Sequence, residues 1–187
     1  MRNIVLGISY DGTDFAGFQK QKGLPTIQGE IEEKLTNFLG EKTRVIAASR
    51  TDAGVHAKEQ VINFLTNSPI PIEKFPPILN DRFPSAIRVI WSREASESFH
   101  SRFSAKSRTY KYFLLNKAIF SPFLSRYALI FPEELDLELM REAGKMLEGI
   151  HDFSAFTSEQ TKTKRNLFCL DIKKKRNIII FKLEANS

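Results

Sequence analysis

The amino-acid sequence predicts an α+β protein built as two halves side by side. The order strand, helix, strand, strand occurs about twice along the 187 residues. Strand segments alternate apolar and polar residues, whereas helical segments repeat apolar ones every third or fourth position. The seam is expected between Arg93 and Ser107, which gives an N-terminal half over 1–100 and a C-terminal half over 101–187. No sequence repeat relates the two. A chain of this length is long enough to bury a real core.

Each element has its own signal. "NIVLGISYDG" places Ile4, Leu6, Ile8 and Tyr10 on one face and turns at Asp11-Gly12, the pattern of a half-buried strand. "LPTIQGEIEEKLTNFLG" predicts an amphipathic helix capped by Thr26, with Ile27, Ile31, Leu35, Phe38 and Leu39 inward and Gly40 as the stop. "TRVIAAS" and "EQVINFLT" predict strands on either side of a loop from Arg50 to Ala57. A short helix around Lys74 to Leu79 and a strand near Arg88 to Trp91 close the first half.

The second half opens with "SRTYKYFLLN", a strand with Tyr110, Tyr112 and Leu114 on one face. "DLELMREAGKMLEGIHDF" predicts a helix capped by Asp136 and stopped by Gly149, with Leu139, Met140, Ala143 and Met146 or Leu147 inward. "LFCLDIKKKRNIIIFKLEANS" predicts a strand, a basic turn and a strand. A core-like strand ending at a bare terminus is expected to leave a sheet edge uncovered, so the chain reads as cut short.

Composition narrows the function. No apolar run reaches the length of a membrane span, and the N-terminus lacks a secretory signal pattern. Cys169 is a lone cysteine, and no Cys/His cluster has zinc spacing; together these predict a cytoplasmic protein without a metal. The net charge of +6 favours a polyanionic partner. Lys162, Lys164 and Arg165 form one basic cluster; Lys173, Lys174, Lys175 and Arg176 form another, expected as a solvated hairpin tip.

The loop "AASRTDAGVHA" carries the chemistry. In an extended segment Arg50 and Asp52 point the same way, so the guanidinium is expected to pair with the carboxylate and aim it. An aimed carboxylate serves as nucleophile or base, and Ala53 and Gly54 leave room for a substrate backbone. The plain alternative is a surface ion pair beside a turn. His56 raises a metal-dependent phosphohydrolase with Asp52, but neither His100 nor His151 completes a ligand pattern.

The string "SRTDAGVHA" resembles the signature loop of the tRNA pseudouridine synthase A family. "YDGTDFAGFQKQ", "TIQGEIEEKL", "LNDRFPSAIRV", "FHSRFSAKSRTYKYFL" and "HDFSAF" resemble its other blocks in the same order. The resemblance implies a pseudouridine synthase fold, two related halves whose antiparallel sheets join around a basic central cleft. It implies isomerisation of uridine at positions 38, 39 and 40 in the anticodon stem-loop of tRNA, by a homodimer and without a cofactor.

Asp52 matches the family's catalytic aspartate, Arg50 the arginine before it, and Tyr110 the active-site tyrosine. A paired uridine must leave the helix to be reached, and Arg50 suits the vacated space or a phosphate. Tyr110 suits the uracil face, or else is an ordinary sheet aromatic. His56, His100, Arg102 and Arg108 are further candidates for RNA contact; linker contacts between the halves are the alternative for His100 and Arg102. Phe18 replaces a frequent Trp, and Ser49 a frequent Gly. The aromatic-rich segment and helix that follow "EAN" in the family are missing, so a catalytically impaired tRNA-binding module is the rival reading.

Overall fold

The computed structural model describes residues 1–116, 121–157 and 163–186. The chain divides into two compact units, Met1–Ala105 and Lys106–Ser187.

The first unit is a four-stranded antiparallel sheet with helices on one face. Its strands are β1 (Arg2–Tyr10), β2 (Ile46–Ala47), β3 (Ala57–Thr66) and β4 (Ile87–Ala95), in the order β2-β3-β1-β4. The expected alternation on β1 holds: Ile4, Leu6, Ile8 and Tyr10 are buried. They meet Ile62 and Phe64 of β3, Ile87 and Val89 of β4, and the apolar faces of two helices in one core.

Helix α1 (Ile27–Leu39) starts where the Thr26 hydroxyl accepts the Gly29 amide, and closes at Gly40 in the left-handed conformation. Ile27, Ile31 and Leu35 are fully buried, and Phe38 and Leu39 pack at the edge of the core. Helix α2 (Phe75–Arg82) follows a 3-10 turn over Ile72–Lys74 and buries Phe75 and Leu79.

A four-residue helix, α3 (Ser101–Ser104), lies near the end of the unit; so short an element carries no periodic signal. Its attachment is polar. The buried Asn63 side chain accepts the Ser101 amide and donates to Asn3, which donates to the carbonyls of Ser96 and Phe99.

The second unit is a five-stranded sheet with one helix. Its elements are β5 (Ser107–Asn116), β6 (Leu129–Phe131), α4 (Leu137–Met146), β7 (Gly149–Asp152), β8 (Lys164–Lys175) and β9 (Ile178–Asn186). The strand order is β6-β5-β9-β8-β7, antiparallel except that the short β6 runs parallel to β5. The last strand is therefore an interior strand, paired on both sides, and not the exposed edge expected from its place in the sequence. The β8–β9 hairpin turns at Arg176, with φ 56°, so its basic tip lies at the sheet end as expected. Lys162 lies outside the described residues.

Asp136 caps α4 as predicted, accepting from the Glu138 and Leu139 amides, but the helix turns a different face to the sheet. Leu139, Met146 and Leu147 are exposed, as is Ala143. Gly144 instead is buried, where an added Cβ would stand 3.0 Å from Leu170 of β8. The Arg141 guanidinium donates to the Ile172 carbonyl on the same strand. Close approach at a glycine and a cation–carbonyl bond outweigh the wider apolar stripe. The helix also ends at Met146, three residues before Gly149 opens β7.

The first unit's core predicts the cost of a cavity. Leu35→Ala, at a fully buried α1 position, is expected to destabilise by about 3 kcal/mol. Urea unfolding followed by far-ultraviolet circular dichroism checks this.

Candidate active site

The loop between β2 and β3 is fastened at several points along its length. The β2–β3 ladder continues past Ala47, since the Ala48 amide donates to the Val61 carbonyl. One residue on, the buried Gln60 side chain takes over as partner: its Oε1 accepts the Ser49 amide at 3.3 Å and its Nε2 donates to the Ser49 carbonyl at 2.9 Å. This is why β2 stops after two residues although the predicted strand ran to Ser49.

Thr51 is the next anchor. Its hydroxyl lies 2.9 Å from the Tyr10 phenol at the end of β1, and its carbonyl accepts the Phe18 amide at 2.9 Å. Phe18 is itself buried and packs against Tyr10, so the aromatic replacing a frequent Trp still serves the core. Gly17, at φ +96°, makes this approach possible; a Cβ there would stand 2.9 Å from the Thr51 carbonyl. Farther along, the Gly54 amide donates to the Phe15 carbonyl, and the Val55 amide folds back to the Asp52 carbonyl.

His56 closes the loop against the Asp11-Gly12 turn. Its Nδ1 accepts the Gly12 amide at 3.2 Å and lies 3.1 Å from Asp11 Oδ1. Gly12 is again a place for no side chain, since a Cβ would meet the Val55 carbonyl at 2.1 Å. Among the described residues no group of three or more His, Cys, Asp or Glu side chains is placed to hold a metal ion.

Between these anchors Arg50, Asp52 and Ala53 are exposed. The expected Arg50–Asp52 ion pair is not formed: among the described residues no cation lies within salt-bridge distance of the Asp52 carboxylate. The physical reason is local. The backbone on either side of Arg50 is tied to the sheet end, by Gln60 at Ser49 and by Tyr10 and Phe18 at Thr51. Both charged side chains stay exposed to water, where an ion pair gains little. The loop backbone is fastened around the acid, and the Arg50 and Asp52 charges are left to solvent.

The remaining candidates belong to other elements. His100 and Arg102 belong to α3, where His100 Nδ1 accepts the Phe103 amide. Arg108 and Tyr110 lie on β5 of the second unit, opposite Ala185 and Leu183 of β9. Tyr110 is 41% exposed, so its ring is not committed to a core. Sequence reasoning missed Tyr10 and Gln60 as parts of the site. A buried Gln on an otherwise apolar strand face was the available signal.

Known proteins share this chain's sequence. The profile of the tRNA pseudouridine synthase family matches residues 8–104, which include the whole anchored loop. The chain is 41% identical over 189 aligned residues to the tRNA pseudouridine synthase A of Thermoanaerobacter sp. strain X514, covering all of this chain and 78% of that protein. It is 44% identical over 167 residues to the protein of that name from Clostridium acetobutylicum, covering 89% and 68%. With that of Chlorobium luteolum the identity is 41%, covering 100% and 74%.

The chain thus belongs to the tRNA pseudouridine synthase family, and its α+β architecture is the pseudouridine synthase fold. By class it is an isomerase.

The Tyr10 anchor has a measurable signature. Burial holds the Tyr10 phenol above its ordinary value, with its hydrogen bonds to Thr51 and Gln60 pulling the other way. The folded-state pKa therefore exceeds the unfolded one near about 10. The stability contributed by the neutral phenol is complete below that point and is lost as pH rises through the folded value. Wild type is expected to lose stability above about pH 10 more steeply than Tyr10→Phe. Denaturant midpoints across that range, compared between the two proteins, check it.

Proposed function

We propose that this protein isomerises uridine to pseudouridine at positions 38, 39 and 40 in the anticodon stem-loop of tRNA, with Asp52 as the catalytic group. The observation that carries the reading is the exposed Asp52 carboxylate on a loop otherwise fastened by Tyr10, Gln60 and Phe18. The similarity to proteins named tRNA pseudouridine synthase A supports the substrate class. The net charge of +6 supports a phosphate-rich partner.

The reaction balances within one nucleotide. The N1–C1′ bond breaks, the uracil turns while held, C5 bonds to C1′, C5 loses a proton and N1 gains one. No oxidant, reductant or co-substrate is required. Asp52 acts by attack at C1′, by addition to C6 or by removing a ribose proton; each uses the same carboxylate. A flipped uridine seated on the loop strips water from that carboxylate, which strengthens it as a nucleophile or base.

Arg50, exposed beside the acid, holds a phosphate or fills the gap left by the flipped base. Tyr110 offers a phenol face to a pyrimidine ring. Arg108, His56, His100 and Arg102 contribute RNA contacts. Homodimeric assembly and a cytoplasmic location complete the reading; bacterial relatives of the same name and a lone cysteine support the latter.

Asp52→Asn keeps the size of the side chain and removes its charge. Pseudouridine formation on unmodified tRNA is expected to fall at least about a thousandfold. The Kd for that tRNA is expected to stay within about threefold, because phosphate contacts dominate affinity. Tritium release from C5-labelled tRNA and filter binding read the two. Unchanged turnover would end the assignment of Asp52. A wild-type chain that binds tRNA without turning it over would instead favour a binding module.

A further inference from the structure

Phe103 is an apolar side chain in a place that hydrophobic burial does not explain. It is 76% exposed, and no other aromatic side chain of the first unit belongs to the large exposed apolar residues. It is nevertheless held. The His100 ring lies 4.3 Å from it, centroid to centroid, tilted by 31°, close enough for a ring–ring contact. The guanidinium of Arg102 sits 5.8 Å from the ring centre.

The backbone beneath is fixed as well. His100 accepts the Phe103 amide, and the Ser101 amide is bound by Asn63, which is only 2% exposed and itself braced by Asn3. The turn is thus anchored in the interior of the sheet while its aromatic residue points to water. Exposed, rigid and next to a cation is an arrangement that suits a planar, anionic ligand.

We propose that Phe103 is a stacking platform for an unpaired nucleobase of the RNA, with Arg102 taking the adjoining phosphate. The proposal rests on the reading of tRNA as substrate and assigns a contact outside the Asp52 loop. His100 steadies the ring, and the 76% exposure of Phe103 leaves room for a base to stack against it, the flexible Arg102 side chain swinging from the ring to the phosphate. Every base has a π-face, so the platform contributes affinity without sequence preference. The exposed cation Arg102 beside the ring fits a polyanion better than an apolar protein surface.

The test compares wild type, Phe103→Tyr and Phe103→Leu for binding of transcribed tRNA at fixed salt and for turnover at saturating tRNA. Phe103→Tyr is expected to bind within about twofold of wild type. Phe103→Leu, which keeps apolar bulk but has no ring, is expected to bind about five- to a hundredfold more weakly with turnover at saturation retained. Because the side chain is exposed, both variants are expected to fold; circular dichroism checks this.

In Phe103→Trp, single-stranded oligouridylate is expected to quench the new indole, whereas wild type with only Trp91 shows no change. Equal binding by Phe103→Leu and wild type overturns the platform while leaving the tRNA reading intact. Loss of self-association in Phe103→Leu with RNA binding unchanged overturns it in favour of a protein interface. A wild-type chain that neither binds nor modifies tRNA overturns both readings.

Discussion

Thr51 is fastened through both its side chain and its backbone, and the rest of the site follows from that. Its hydroxyl meets the Tyr10 phenol and its carbonyl receives the Phe18 amide, so one residue ties the end of β1 to the loop after it. Gln60 adds a pair of bonds to Ser49 from the neighbouring strand. Asp52, next in the chain, is exposed yet has little freedom in its backbone. Pre-arrangement of this kind lowers the cost of reaching a reactive geometry, because displacement of about 1 Å can cost two orders of magnitude in rate. A surface ion pair would have supplied far less.

The two units rely on different kinds of stability. The first has a dense core of aliphatic and aromatic side chains under its sheet, on which an exposed, polar loop can be carried. The second buries few apolar residues, chiefly Leu115, Leu167, Ile172 and Ile179. Its helix is held by the Gly144 approach and the Arg141 bond to Ile172, while Leu139, Met146 and Leu147 stay in water. The exposed Asp52 loop is carried on the densely packed unit.

What was legible in the sequence was what local rules control. Alternation located β1, and the Thr26 and Asp136 caps marked the starts of α1 and α4. The family was legible because a collinear set of motifs ran along the chain. The α4 orientation was not, since an apolar stripe says which residues prefer burial but not where a glycine lets two backbones approach. Interior placement of β9 depends on pairing across a long stretch of chain, which periodicity does not encode. Tyr10 and Gln60 escaped notice for a related reason: their role is to bond a loop that only the folded sheet brings near.

Amide hydrogen exchange at Phe18, Ser49 and Gly54 in the free protein tests most directly whether the loop is braced before substrate arrives. All three amides donate to the anchors of the Asp52 loop. Exchange slowed to near the rate of the β1 and β3 strand amides is the result this account predicts. Exchange as fast as that of an unstructured chain would contradict it, because the acid would then have to be positioned by the substrate itself.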